Sequence, residues 1–168
     1  TREVFFELAE KFMVCPFELC LDTASWADNI ICDYNYVFDP NVYLKRFFAE
    51  GIKGDYIFLV DEAHNLVERG RSMYSAALYK EDFLTVKRIL KNHSKKLEKE
   101  LDRCNKIMLE YKRTCDTYEV LEDVGNLIFA LMRLGSEMDK FFQKPREFQG
   151  KEECLQFYFD VRNFLNIY

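Results

Sequence analysis

Proline and glycine are scarce in this chain, three and six in 168 residues. So few breakers leave room for long, uninterrupted helices. No apolar run is long enough to cross a membrane, and no segment reads as a signal peptide. The six cysteines (Cys15, Cys20, Cys32, Cys104, Cys115 and Cys154) show no disulfide-framework spacing. Reduced thiols in a cytoplasmic setting are therefore expected. The two histidines, His64 and His93, share no metal-ligand spacing. There is no Gly-x-x-x-x-Gly-Lys-Ser/Thr phosphate loop. A nucleotide would lack its backbone cradle and its lysine here. The first residue is Thr rather than Met and lies at once in apolar helical sequence, which reads as a piece cut from a longer chain.

What the chain does have is apolar bulk and uneven charge. Hydrophobic residues make up 49% and charged residues 32%, a globular balance with material for a core. Sixteen Phe and ten Tyr carry much of that bulk. The net charge of −5 argues against a nucleic-acid binder that is basic throughout. Residues 80–115, however, hold 11 basic and 6 acidic side chains, while both flanks are acidic. A local positive patch can hold phosphates in a protein of negative total charge.

The pattern changes near residue 79. Before it, residues 2–14 read as an amphipathic helix ended by Cys15-Pro16, and residues 16–26 as a second helix. Asn29–Cys32 and Tyr56–Val60 read as two buried strands. Asp39-Pro40 reads as a helix start with Asp39 as N-cap, the helix covering 41–49. After it, Phe83, Val86 and Leu90 recur at heptad spacing. Leu101, Cys104, Met108 and Tyr111 resume the pattern after a four-residue step at Leu97. Val120, Val124, Leu127, Leu131, Leu134, Met138 and Phe141 mark a second helix. Cys154, Phe157, Val161, Phe164 and Tyr168 mark a third. Lys144-Pro145-Arg146 is a breaker between these two, and Gly150 a loop. The expected fold is mainly α: a helical hairpin with a third helix laid on it, beside a two-stranded remnant of an α/β sheet. The expected boundary separates 1–78 from 79–168.

Chemistry concentrates at Leu59-Val60-Asp61-Glu62-Ala63-His64-Asn65. Apolar strand residues run into two acids and a histidine. A nucleotide hydrolase needs one carboxylate to hold Mg²⁺ through its water shell and another to orient or deprotonate the attacking water. Asp61 suits the first role and Glu62 the second, with His64 relaying the nucleotide state. The plain alternative is a solvated acidic turn ahead of a helix, where acids are favoured. A second candidate is the series Lys87, Lys91, Lys95, Lys99 and Arg103, four residues apart, which would form a row along one helix that could follow a single-strand phosphate backbone. Its alternative is an ordinary solvated face, offset by Glu98, Glu100 and Asp102.

Three motifs in order carry a family resemblance: Cys15-Pro16-Phe17-Glu18-Leu19, then Ala27-Asp28-Asn29-Ile30-Ile31-Cys32-Asp33-Tyr34-Asn35-Tyr36-Val37-Phe38-Asp39-Pro40, then Val60-Asp61-Glu62-Ala63-His64-Asn65. Over residues 13–70 the chain resembles the XPD/DinG-type iron-sulfur DNA helicases, between the last cluster cysteine and the Walker B box. The resemblance implies a RecA-like motor segment followed by a helical Arch insertion at 79–168. It also implies a bacterial parent that uses Mg²⁺ and ATP to move 5′ to 3′ on single-stranded DNA in repair or replication. Cys15 matches the fourth ligand of the family's 4Fe-4S cluster. A cluster needs four thiolates, so this segment alone does not form one. Cys20 and Cys32 stand off the ligand pattern and read as small packing residues. Tyr34-Asn35-Tyr36 resembles a family element and reads as packing.

Without a phosphate loop, ATP hydrolysis by this segment alone is not expected. The rival readings are a non-enzymatic helical interaction module and a small Mg-dependent hydrolase. Central strands without neighbours would leave apolar edges exposed, so a homodimer through 29–32 and 56–60 is expected.

Overall fold

The computed structural model describes residues 2–52, 54–145 and 147–168. Among them run nine α-helices and one 3-10 turn, with no strand. The mainly α expectation therefore holds, and the two-stranded remnant does not. Residues 29–32 and 56–60 are irregular. Ile31, Ile57 and Leu59 are each more than 90% exposed. A buried strand needs partners on both edges and cover on both faces, and these segments have neither.

The chain divides into two compact units. The first runs to Phe38 and continues over Val42–Phe58. It holds α1 (Arg2–Phe12), α2 (Pro16–Ala24), α3 (Asn35–Phe38) and α4 (Lys45–Phe48). Helix α1 closes with Met13 in the left-handed region, φ 52°, while the Val14 N–H reaches the Ala9 carbonyl at 2.9 Å. That is the geometry of a helix end usually given to glycine. Cys15 is then extended and Pro16 starts α2, where its missing N–H costs nothing. Arg46 of α4 bridges to Glu18 and Asp22 on α2. Phe48 meets Tyr56 edge-on at 5.5 Å and Phe58 at 5.9 Å. Yet Ala9 is the one fully buried apolar residue among those described in this unit. The expected helix over 41–49 shrinks to four residues capped by Leu44. Asp39 caps no helix; its carboxylate accepts the Asn41 N–H at 2.8 Å in a local turn.

The second unit comprises Asp39–Asn41 and Leu59–Tyr168. After the 3-10 turn Ala63–Asn65 comes α5 (Leu66–Met73), then four helices around one core: α6 (Lys80–Leu90), α7 (Lys95–Thr114), α8 (Gly125–Phe142) and α9 (Lys151–Ile167). Helices α6, α7, α8 and α9 pack in cyclic order, each against the next and α9 back on α6. The expected hairpin with one added helix is thus a four-helix arrangement, because the first long helix is in fact two. The chain turns at 91–94, with the Ser94 N–H on the Leu90 carbonyl, and Ser94 Oγ accepts the Leu97 N–H at 3.3 Å to start α7. Phe83, Val86, Leu90, Leu97, Leu101, Cys104, Leu131, Leu134, Met138, Cys154, Phe157 and Val161 fill the core. Phe83 meets Phe157 edge-on at 4.8 Å.

Helix α8 begins five residues later than the heptad pattern suggests, and Val120 is 84% exposed in the preceding loop. Asp123 accepts the Gly125 N–H at 2.7 Å there. Of the breaker Lys144-Pro145-Arg146, Arg146 lies outside the described residues, and Lys144 and Pro145 lie between α8 and α9.

Candidate functional site

The acidic box sits where irregular chain becomes helix. Glu62 takes φ 50°, ψ 37°, a left-handed conformation that costs a β-carbon-bearing residue about 1 kcal/mol or more. The bend is held on both sides. Asp61 Oδ1 accepts the Glu62 N–H at 2.9 Å, and the Glu62 carbonyl accepts the Asn65 N–H at 2.9 Å. Turning the chain this way brings the Glu62 carboxylate to 3.3 Å from His64 Nδ1. Asp61, Glu62 and His64 are all exposed. The three side chains therefore face water on one tight turn mounted ahead of α5. The mount is a turn, not the carboxyl end of a buried strand.

This donor set suits a hard cation sparingly. Asp61 spends one oxygen on a backbone N–H and keeps acceptor capacity for a metal's water shell. No group of three or more His, Cys, Asp and Glu side chains converges as a metal site among the described residues. Magnesium is commonly held through water by one or two carboxylates while substrate phosphates supply further ligands, and the carboxylate of Asp61 is what this turn offers in that mode. It does not form an all-protein metal cage.

The cysteines do not make a cluster site. Cys15 is exposed at the N-cap of α2. Cys20 and Cys32 are also exposed, so their expected role as packing residues is not what the structure shows. A 4Fe-4S cluster requires four thiolates, and the donor set around Cys15 does not fit one among the described residues. Cys104 and Cys154 are the buried thiols, lodged in the bundle core. Tyr34, Asn35 and Tyr36 are half-buried at the start of α3, and the Tyr36 carbonyl accepts the Leu44 N–H at 2.8 Å.

The cationic series does not lie along one helix. Lys87 is on α6, Lys91 caps its end, and Lys95, Lys99 and Arg103 are on α7. The break at 91–94 bends the row around the α6–α7 turn. Lys87 donates to Asp102 at 2.7 Å, and that hydrogen bond holds its ammonium above the usual range. Arg103 pairs with Glu100 at 2.7 Å. Among the described residues Lys91, Lys95 and Lys99 form no ion pair and are exposed. The Lys87–Asp102 pair was missed at fifteen residues' separation because it exists only once the chain reverses. Ser94, followed by a charged helical run, was the available sign of that reversal.

Residues 1–83 match the DEAD_2 family. The chain is 32% identical over 68 residues to the Fanconi anemia group J protein homolog of Gallus gallus, covering 40% of this chain and 5% of that protein. It is 28% identical over 158 residues to the Regulator of telomere elongation helicase 1 homolog of Caenorhabditis elegans, covering 83% of this chain and 15% of that protein. The chain therefore spans a small fraction of the length of these relatives. No solved structure matches it.

Proposed function

We infer that this chain, whose residues 1–83 match the DEAD_2 family, is a segment of an ATP-dependent DNA helicase of the iron-sulfur type, moving 5′ to 3′ in repair or replication. The observation that carries the reading is the box turn itself. Asp61, Glu62 and His64 stand exposed on one bend, with Glu62 and His64 in contact. In the parent, Asp61 holds Mg²⁺ through water and Glu62 orients the attacking water. His64, touching Glu62, passes the state of that carboxylate onward. Mg²⁺ with ATP supplies the phosphoryl chemistry. The segment alone lacks a phosphate loop and does not turn ATP over. Cys15 takes part in a cluster only with cysteines from elsewhere in the parent.

The helices that follow the box are the Arch-like part, and Lys91, Lys95 and Lys99 are its phosphate-facing cations for single-stranded DNA, with Lys87 and Arg103 held in ion pairs beside them. In the first unit, exposed Ile31 and Ile57 are the apolar side chains through which the isolated segment would self-associate. A second reading, a helical protein-interaction module, is favoured by Phe129 and Met132, both more than half exposed on α8.

The test is fluorescence anisotropy of labelled single-stranded DNA across a salt series. The helicase reading expects affinity that falls steeply with salt, and a shallower slope in Lys91→Glu, Lys95→Glu and Lys99→Glu combined. No binding at low salt would remove the helical part from the DNA path and favour the interaction module.

A further inference from the structure

The ten-residue connection between α7 and α8, Cys115–Val124, is long for neighbouring helices of a bundle, where two to eight residues are usual. It carries Asp116, Glu119, Glu122 and Asp123 and no Lys or Arg. Its ends are tied down. Cys115 and Val124 are half-buried, and Asp123 accepts from both the Gly125 N–H and the Tyr168 hydroxyl, the latter at 3.1 Å. Between those ends no backbone N–H of 116–123 donates to another backbone carbonyl among the described residues. Tyr118 stands in the middle, 84% exposed.

We propose that Tyr118 is a phosphorylation site, the acceptor for a tyrosine kinase with a basic substrate groove. A kinase must lay several residues on each side of the acceptor into its cleft in an extended form, and the ten tyrosines differ in how readily they allow it. Tyr34, Tyr36 and Tyr43 are half-buried. Tyr56 stacks among Phe48 and Phe58. Tyr74 caps the end of α5, and Tyr79 caps the start of α6 with its carbonyl on the Asp82 N–H. Tyr111 packs on the core, Tyr158 is buried, and the Tyr168 hydroxyl is spent on Asp123. Tyr56 also lies in non-helical chain, but it is 45% exposed with its ring against Phe48 and Phe58, whereas Tyr118 is 84% exposed with non-helical chain on both sides. Acids at Asp116 and Glu119 then select a cationic groove by charge complementarity.

The step balances with Mg-ATP as co-reactant. The phenol gives its proton to the kinase's carboxylate base, Tyr118 Oη bonds to the γ-phosphorus, the bond from that phosphorus to the bridging oxygen breaks, and ADP leaves. The product adds a charge of about −1.5 to −2 to an already acidic loop and gives it the oxygens that an arginine cluster pairs with. The site is separate from the lysines at the other end of α7, since a helix of this length spans about 30 Å. The proposal stands or falls without reference to DNA binding.

The test treats the whole chain with Mg-ATP and a purified tyrosine-kinase catalytic domain that prefers acidic flanks. Phosphate is then mapped by mass spectrometry. The tryptic peptide 114–133 contains Tyr118 and no other tyrosine. The expected result is phosphate on that peptide first, roughly tenfold faster than on Tyr79, whose neighbours must leave a helix to bind. Tyr118→Phe should abolish that label while leaving the thermal melt unchanged, as befits an exposed side chain. Phosphate appearing on Tyr79 or Tyr74 at the same rate or faster, or no label on 114–133, overturns the proposal.

Discussion

The phenol of Tyr158 donates to the carboxylate of Asp139 across the α8–α9 interface, and Arg162 Nη1 donates to the same phenol oxygen from 3.1 Å. Tyr158 is buried, with its ring also against Phe142 at 5.7 Å. The bond to Asp139 first, and burial second, raise the phenol above its ordinary value of 10.0, while Arg162 pulls the other way. The folded state thus keeps a proton that the unfolded state gives up. The stabilisation is complete below about pH 10 and is lost as pH rises through the folded value. Tyr158→Phe should cost about 1 kcal/mol at neutral pH by urea melts. It should also flatten the fall in stability above pH 10. An unchanged alkaline limb would mean the bond does not form in solution.

Ser94 is where the first long helix is cut in two. Its Oγ takes the Leu97 N–H, and Leu90 and Leu97 on either side are both buried. Ser94→Ala should cost about 1 kcal/mol, and Ser94→Asp should restore most of it. If both variants melt with the parent, the cap is not what sets the turn.

The periodic core was legible in the sequence. Phe83, Val86 and Leu90, then Leu127, Leu131, Leu134 and Met138, then Cys154, Phe157 and Val161 are all buried as their spacing demands. The break at Lys91-Asn92-His93-Ser94 was not, because it contains no Gly or Pro and two helices meeting in phase leave the heptad almost intact. Val120 misled for a related reason: it falls on the helical register, yet Asp123 closes a side-chain turn on the Gly125 N–H and α8 starts only there. Asn29–Cys32 and Tyr56–Val60 look like strands by composition. A strand, however, is a relation between segments, and neither finds a partner among the described residues. The box was readable as chemistry, since its residue types and order are local. Its left-handed Glu62 was not, because no glycine or asparagine advertises the bend.

Gly150 opens α9 at φ 84°, and a β-carbon there would stand 2.7 Å from Ile89 Cδ1 and 3.2 Å from its Cγ1. Gly150→Ala meets left-handed strain of about 1–2 kcal/mol together with that clash. The expected outcome is a loss of roughly 2 kcal/mol in chemical denaturation, part of it recovered by Ile89→Ala in the same chain. A single variant as stable as the parent would show that the loop can move away from α6.

Five of the six thiols should separate by burial. Cys15, Cys20 and Cys32 are exposed, while burial first, and Glu100 second, push Cys104 up to about 12, and burial first, then Glu153, push Cys154 up to about 11. The thiolate is the reactive form, so at pH 8 iodoacetamide should label Cys15 and Cys20 quickly, Cys32 more slowly because desolvation and then Asp33 raise its thiol, and leave Cys104 and Cys154 to react only as the bundle opens. The same shifts carry a stability consequence with a definite sign. Both groups hold their protons more tightly when folded, so their contribution is intact below the ordinary thiol value of 9.0 and drains away as pH rises toward the folded values. Labelling of Cys104 and Cys154 should therefore accelerate above pH 9 by more than thiol ionisation alone explains, in step with the loss of helical circular dichroism. Cys104→Ala combined with Cys154→Ala should lose core packing yet remove this part of the alkaline sensitivity. If the double variant falls off with pH as the parent does, the buried thiols do not set the alkaline limit of the bundle.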